Sequence, residues 1–456
     1  MFRPSIQKTR ILVLIALVNI LVYYIVSSSI LTYKSSDYDL KIESANKMQS
    51  ALGILKKYGR KYPFLSRDPF DSRLVFLNTE TSPLLTDIGK YEAKSTVLKP
   101  NFSALIIDQF TKAGLSSGDT IAVSMTGSMP GANIAVLMAC ESMGLNYVTI
   151  SSLGASSWGA TDMNLSWPKM EKILYDKDLI SHVSNKFTYG GGADYLKKGT
   201  RYRKIYGGDE KRQSLDSLML SLYPNKSLDE LFVLHGLSNQ EVLNDSIGSI
   251  LKTSINNRVD LYEDNCSDNT LSCYKAYINI GGGVASFGFK GKNKLKEHYG
   301  FVQASKVLSL IPSFDKRTSV IAKFCDIDIP IVNIIEIEKL IKGTDIGYFN
   351  SPISSDLDMV GNGKWDQDGF KWSQNLNGNP EIFTDTNNDG EWNQGEFFLD
   401  QDGLLDIGKG SLYYTRKFNM LIVWLGLFIC LGSTIYVGFI SYRQISRQMR
   451  NYDPNS

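Results

Sequence analysis

The chain has 456 residues, with 49 Lys and Arg against 47 Asp and Glu, for a formal net charge of +2. That length holds one large domain or two, and the near-balance excludes a general pull toward nucleic acid or acidic surfaces. Hydrophobic residues make up 43% of the chain, an ordinary globular share, but two runs are far more apolar than the rest.

The first run, Ile11–Leu31, carries no charge and follows a tail (residues 1–10) with Arg3, Lys8 and Arg10 and no acid. A basic start before an apolar run suits an uncleaved membrane anchor or a cleaved signal peptide. The length of the run and the lack of a clear A-x-A site favour the anchor. The second run, Phe418–Ile440, is also uncharged and precedes a tail (residues 441–456) with Arg443, Arg447 and Arg450. Each run can cross a hydrocarbon core of roughly 30 Å. The positive charges place both termini in the cytoplasm and residues 32–417 outside, although Arg416 and Lys417 weigh against that orientation at the second run.

Between the runs the spacing predicts a membrane-proximal helix over Ser44–Tyr58 and an amphipathic helix over Asn101–Gly114, with Phe102, Leu105, Ile106 and Phe110 on one face. Next come a strand (Thr120–Ser124), a small-residue turn (Met125–Gly131), an apolar helix (Ala132–Met143) and a second strand (Tyr147–Ser151), the start of a βαβ unit. Thr120 to Cys140 holds no charged side chain, so a ligand there meets amides and hydroxyls: Ser124, Thr126, Gly127, Ser128 and Asn133. The turn lacks both the G-x-G-x-x-G fingerprint and a P-loop ending, so no nucleotide is expected. A tight βα turn with no ligand explains it equally well.

The hydroxyl-rich loop after the second strand adds Ser156 and Ser157. A helix is expected over Lys169–Asp176, and helices over Leu228–Ile255. YINIGGGVASFG ends a strand at Ile280, and Gly281, Gly282 and Gly283 permit close backbone approach to an anion. Thr318–Phe324 and Ile331–Ile335 read as strands, with a helix near Glu336–Lys342. Strands alternating with helices indicate an α/β domain over residues 32–350 built on a mostly parallel, Rossmann-like sheet. In such sheets ligands collect at the carboxyl ends of the strands.

Residues 351–410 form an Asp-, Asn- and Gly-rich insert. Within it DTNNDGEWNQGE fits a twelve-residue calcium loop: Asp385, Asn387 and Asp389, the sharp turn at Gly390, the Glu391 carbonyl, Asn393, and Glu396 as bidentate acid. Partial copies place Asp358, Asn362 and Asp366 before it and Asp400, Asp402 and Asp406 after it. A solvated acidic loop is the plainer alternative. Calcium would be structural, since no flanking regulatory helix pair is evident.

Catalytic groups are sparse. No His has metal-ligand spacing, and the Ser-rich loops lack a recognisable base. Glu171 and Asp194 are weak candidate acids. Cys266 and Cys273, in CSDNTLSC, suit a local disulfide in an oxidising compartment, whereas Cys140 suits a packed thiol.

The run from Ser82 to Glu171, above all SLGASSWG at 152–159, together with YINIGGGVASFG, resembles the poly-γ-glutamate system protein family. These are membrane proteins whose genes accompany the poly-γ-glutamate synthase. The resemblance implies a two-pass protein of the bacterial plasma membrane. It would be an accessory to synthesis or export of the polymer, with an extracytoplasmic domain that binds the polymer, a γ-glutamyl end or a related anion, and with synthase components rather than nucleic acid as partners. It assigns no chemistry residue by residue. Two alternatives stay open: a γ-glutamyl hydrolase or transferase, and a calcium-dependent surface or assembly protein.

Overall fold

The computed structural model describes residues 9–59, 76, 82–192, 194–196, 208–245, 248–288, 295, 297–310, 319–344, 346, 382–383, 398–399, 407–408 and 410–450. The chain divides into two compact units. One is built from both ends, up to Ser36 and from Tyr414 onward, and the other is Asp37–Tyr413.

In the first unit, helix α1 (Thr9–Ser28) leads into strand β1 (Ile30–Lys34), and the strand Tyr414–Phe418 leads into the helix Met420–Arg450. Both helices are long and apolar enough to cross a membrane. The two strands pair antiparallel, Ile30 opposite Phe418 and Lys34 opposite Tyr414. The Asn419 N–H donates to the Ser29 carbonyl at 2.9 Å. The chain thus runs one way through α1 and the other way through its partner helix. A Cβ on Gly426 would lie 2.8 Å from Val26 Cγ2, so a glycine there permits the close approach of the helices.

The second unit opens with α2 (Tyr38–Gly59), longer than its sequence pattern predicts. Its N-terminal turn is held from outside the helix: buried Lys41 donates to the Leu412 carbonyl at 2.7 Å and pairs with Asp37 at 3.1 Å. Next in order come β2 (Leu85–Asp87), α3 (Tyr91–Thr96), α4 (Asn101–Lys112), β3 (Thr120–Thr126), α5 (Pro130–Met143), β4 (Asn146–Ser152) and β5 (Ala155–Ser156). After these come α6 (Trp167–Tyr175), β6 (Lys186–Thr188), α7 (Gly208–Leu222), α8 (Leu228–Leu231), α9 (Asn239–Asn244), α10 (Ser249–Asp264), β7 (Tyr274–Ile280), α11 (Val284–Phe287), β8 (Gly300–Val302) and β9 (Ile331–Ile334).

Six strands form one sheet in the order β6-β4-β3-β7-β9-β8. All neighbours are parallel except β8, which pairs antiparallel with β9. The chain builds outward from β3 to β4 and β6, then returns to add β7 and β9 on the other side of β3. The loops after β3 and β7 therefore diverge, which opens a crevice between them.

Side chains alternate across the sheet. Ala122, Ile150, Tyr277 and Ile331 join a core cluster with Leu215, Tyr262 and Phe324. The other face is covered by α5, with α2 and α4 packed on it. There Ser103 donates to the Ala135 carbonyl at 3.0 Å.

One expected strand is corrected. Of the described residues in Thr318–Phe324 only Ser319 is extended; Val320–Cys325 is a helix, and the Ser319 side chain accepts from the Ala322 N–H as an N-cap. A good cap and burial of Val320, Ile321 and Phe324 against the core outweigh the β preference of the run. The helical reading of Leu228–Ile255 resolves into α8, α9 and the start of α10, each of the first two closed by a Ser-x-x-Glu capping box.

Candidate functional site

A cavity of about 770 Å³ lies at the carboxyl end of the parallel sheet, in the crevice between β3 and β7. Its walls come from the ends of β3 and β4, the loops after β6, β7 and β9, and the segment from β2 into α3. Several expected residues meet there: Ser124, Thr126, Ser128, Ser156 and the glycines 281–283.

The turn after β3 is built by its own side chains. Asn133 is fully buried, and its Nδ2 donates to the Thr126 carbonyl at 2.8 Å. The Gly127 N–H donates to the Ser152 carbonyl at 2.9 Å, and a Cβ there would lie 2.5 Å from the Leu153 carbonyl oxygen. Asn133 and Gly127 thus shape the turn and do not line the cavity. Ser157 is similarly occupied: its Oγ accepts from the Gly89 N–H at 2.8 Å. Ser128 faces both ways, lining the cavity while its Oγ accepts from the Ser156 N–H at 2.9 Å.

The wall after β7 turns at Gly281, where φ is +84° and a Cβ would meet Thr126 Cγ2 at 3.0 Å. Only glycine takes this conformation without strain. Buried Asn279 holds the turn by donating to the Gly281 carbonyl at 2.9 Å and to Asn333 Oδ1 at 2.8 Å. Gly283 is different: a Cβ there meets nothing within 4 Å.

The expectation of an uncharged cradle is corrected. Two buried cations that sequence reasoning missed line the cavity. Arg258 of α10 is 4% exposed. Its Nε and Nη2 both donate to Asp194 Oδ2, at 2.8 and 2.5 Å, and Nη2 also donates to Thr188 Oγ1 at 3.2 Å. Burial is the largest single effect and works against its charge, but Asp194 together with Tyr277 and Tyr262 outweighs it and holds the guanidinium pKa above its ordinary value. Arg258 left one signal in the sequence, since it sits on the apolar face of α10 with Leu251, Ile255 and Tyr262. Asp194, expected as an acid at the turns, lines the cavity but is committed to Arg258 and to Ser254, whose Oγ donates to it at 2.8 Å.

The second cation is Lys94 of α3, 4% exposed. Its Nζ lies 2.7 Å from Ser156 Oγ and 2.9 Å from the Ser156 carbonyl, and it also contacts the Ser157 carbonyl. Burial lowers its pKa to about 7, and among the described residues no carboxylate offsets the cost of the buried ammonium. No local pattern marks Lys94, whose partners are 62 and 63 residues away.

The cavity also carries Asp87, Lys90, Glu336 and Glu338. Glu336 adopts a left-handed backbone, φ 46°, a costly conformation for a non-glycine residue that is often held at functional sites.

Glu171 lies elsewhere. It is fully buried, accepts from Ser184 Oγ at 2.7 Å, and does not line the cavity. Burial raises its pKa to about 7. It belongs to a chain of buried hydroxyls in which Trp167 Nε1 donates to Ser151 Oγ at 3.0 Å and Ser151 meets Ser184 at 2.6 Å.

Cys266 and Cys273 form the expected disulfide, with Cα atoms 5.8 Å apart. Cys140 is buried and unpaired. The calcium-loop residues Asp385, Asn387, Asp389, Glu391, Asn393 and Glu396 lie outside the described residues, as do Asp358, Asn362, Asp366, Asp400, Asp402 and Asp406. The residues on either side of the central loop pair antiparallel, Ile382 opposite Leu399 and Phe383 opposite Phe398. Among the described residues no group of three or more His, Cys, Asp or Glu is placed to hold a metal.

No family model, curated protein or solved structure matches the chain.

Proposed function

We propose that this chain is an accessory membrane protein of poly-γ-glutamate synthesis or export whose Rossmann-like domain binds the γ-glutamyl end of the polymer. The observation that carries the reading is the mixed charge of the cavity. A buried Arg258 and the hydroxyls of Ser124 and Thr126 share it with Glu336 and Glu338. A polyanion alone fits such a lining poorly. A γ-glutamyl terminus fits better, because it carries an α-carboxylate for the cation and hydroxyls and an α-ammonium for the acids. The volume is in the range of small-ligand sites and suits a chain end.

The family resemblance in the segments that form the walls after β2, β4 and β7 supports the same reading. Two antiparallel apolar helices suit a two-pass protein with both termini in the cytoplasm of a bacterial cell. The disulfide suits an extracytoplasmic main domain, where the calcium loop would find its ion and rigidify the insert. The partners would be the membrane components of the synthase.

Titration calorimetry of the full chain in mild detergent tests the reading, with short γ-linked glutamate oligomers as ligand. Oligomers with a free amino end should bind, N-acetylated ones should bind at least tenfold more weakly, and α-linked oligomers weakly or not at all. Equal affinity for all three would overturn it.

A further inference from the structure

The contact between Lys94 and Ser156 has a chemistry of its own. The amine meets three oxygens: two carbonyls, of Ser156 and Ser157, and the Ser156 hydroxyl at 2.7 Å. A carbonyl can only accept. A neutral amine has two N–H donors and one lone pair. As an ammonium, Lys94 donates to all three oxygens; once neutral, directing both N–H groups to the carbonyls leaves its lone pair for the Ser156 hydroxyl. Among the described residues Lys94 pairs with no carboxylate, and burial alone brings its pKa to about 7. The neutral form is therefore well populated near neutral pH. Both residues line the cavity, and Ser156 is partly exposed. Asp87 and Lys90 stand on the same wall segment as Lys94, and the remaining charged lining groups are the Arg258–Asp194 pair, Glu336 and Glu338.

We propose that Ser156 and Lys94 form a serine–lysine dyad that makes the cavity an acyl-transfer site for amide or ester substrates. Such pairs activate serine in several unrelated folds. Lys94 Nζ takes the hydroxyl proton as Ser156 Oγ attacks the substrate carbonyl carbon. The resulting ammonium gives that proton to the leaving amine as the C–N bond breaks, leaving an ester on Ser156. Water, or the amino end of a second chain, then attacks the ester carbonyl. Lys94 takes the proton from the attacking group and returns it to Ser156 Oγ as the ester bond breaks. With water the outcome is hydrolysis; with an amine it is transfer. That the acyl group is γ-glutamyl rests on the reading above; the dyad does not.

The test is covalent labelling of the full chain in mild detergent with an alkyl fluorophosphonate, followed by peptide mapping. The expected result is one adduct on Ser156, with a labelling rate that rises through an inflection near pH 7. Ser156→Ala and Lys94→Arg should each lose at least a hundredfold in rate, since a guanidinium keeps the charge but cannot act as a base. Ser217→Ala, on the exposed face of α7, should label normally. Thermal unfolding identifies folded variants, and the wild-type pH profile stands even if a variant fails to fold. No adduct on Ser156 of the folded wild-type protein up to pH 9 would overturn the proposal, as would full-rate labelling of Lys94→Arg. If labelling succeeds but γ-linked oligomers neither compete with it nor are cleaved, the dyad stands and the polymer reading fails.

Discussion

Arg258 and Asp194, 64 residues apart in the chain, meet as a buried pair in which two guanidinium nitrogens share one carboxylate oxygen, at 2.5 and 2.8 Å. Side-chain exposures of 5% and 7% leave little water to screen or replace either partner. Asp194→Asn keeps the shape, and asparagine tolerates the positive φ of 62° at this position. The substitution nevertheless strands a buried cation, so it should cost about 3–5 kcal/mol. Adding Arg258→Met should recover part of the loss. Chemical denaturation of the full chain in detergent, read as a double-mutant cycle, checks the coupling.

Gly127, which shapes the turn, and Gly283, which lines the cavity, should respond oppositely to a side chain. Gly127→Ala places a Cβ 2.5 Å from the Leu153 carbonyl oxygen. The backbone must shift, at a cost of about 1–3 kcal/mol. At Gly283 a Cβ meets open space. Gly283→Leu should therefore change stability by less than about 0.5 kcal/mol while filling the cavity and reducing oligomer affinity at least tenfold. Thermal unfolding and calorimetry on the two variants separate shape from occupancy.

Glu171 gives a pH signature. Its pKa is about 7 in the folded protein, raised by burial from 4.5. A carboxyl with a raised folded pKa binds more protons folded than unfolded between those values. Stability from this group therefore falls as pH rises from 4.5 to 7 and levels off above. Glu171→Gln, which cannot ionise and keeps an acceptor for Ser184, should remove that slope. The variant should gain up to about 3 kcal/mol over wild type at pH 8 and little or nothing at pH 4. Denaturation curves of both proteins across that range check the sign.

The proposed calcium loop can be tested on its own. Terbium should bind it and luminesce by transfer from Trp392, which lies within the loop sequence. Calcium in excess should displace the terbium. Asp385→Ala with Glu396→Ala should abolish the signal, because the first and last carboxylates are lost together. A double variant as luminescent as wild type would assign the ion elsewhere.

The sequence by itself determined the two apolar helices, the βαβ start at β3 and β4, and the strand that ends in three glycines. These follow from local facts: uninterrupted apolar length, side-chain periodicity and glycine placement. It misjudged Val320–Cys325, where a β-branched run met a serine cap and an apolar neighbourhood that no local window contains. It identified the small-residue turns but not their division of labour. Asn133 and Gly127 hold the turn while Ser124, Thr126 and Ser128 face the cavity, and only hydrogen-bond partners decide between those roles. Asp194 was legible as an acid near the turns, but the two buried cations of the site were placed by tertiary structure. Lys94 and Arg258 sit on helices far along the chain from the strand ends they serve. The sheet order brings those helices to one crevice, and a strand order is a property of the assembled sheet. The proton affinity of Lys94 was likewise invisible in sequence, because it comes from burial, and burial exists only once the chain has folded.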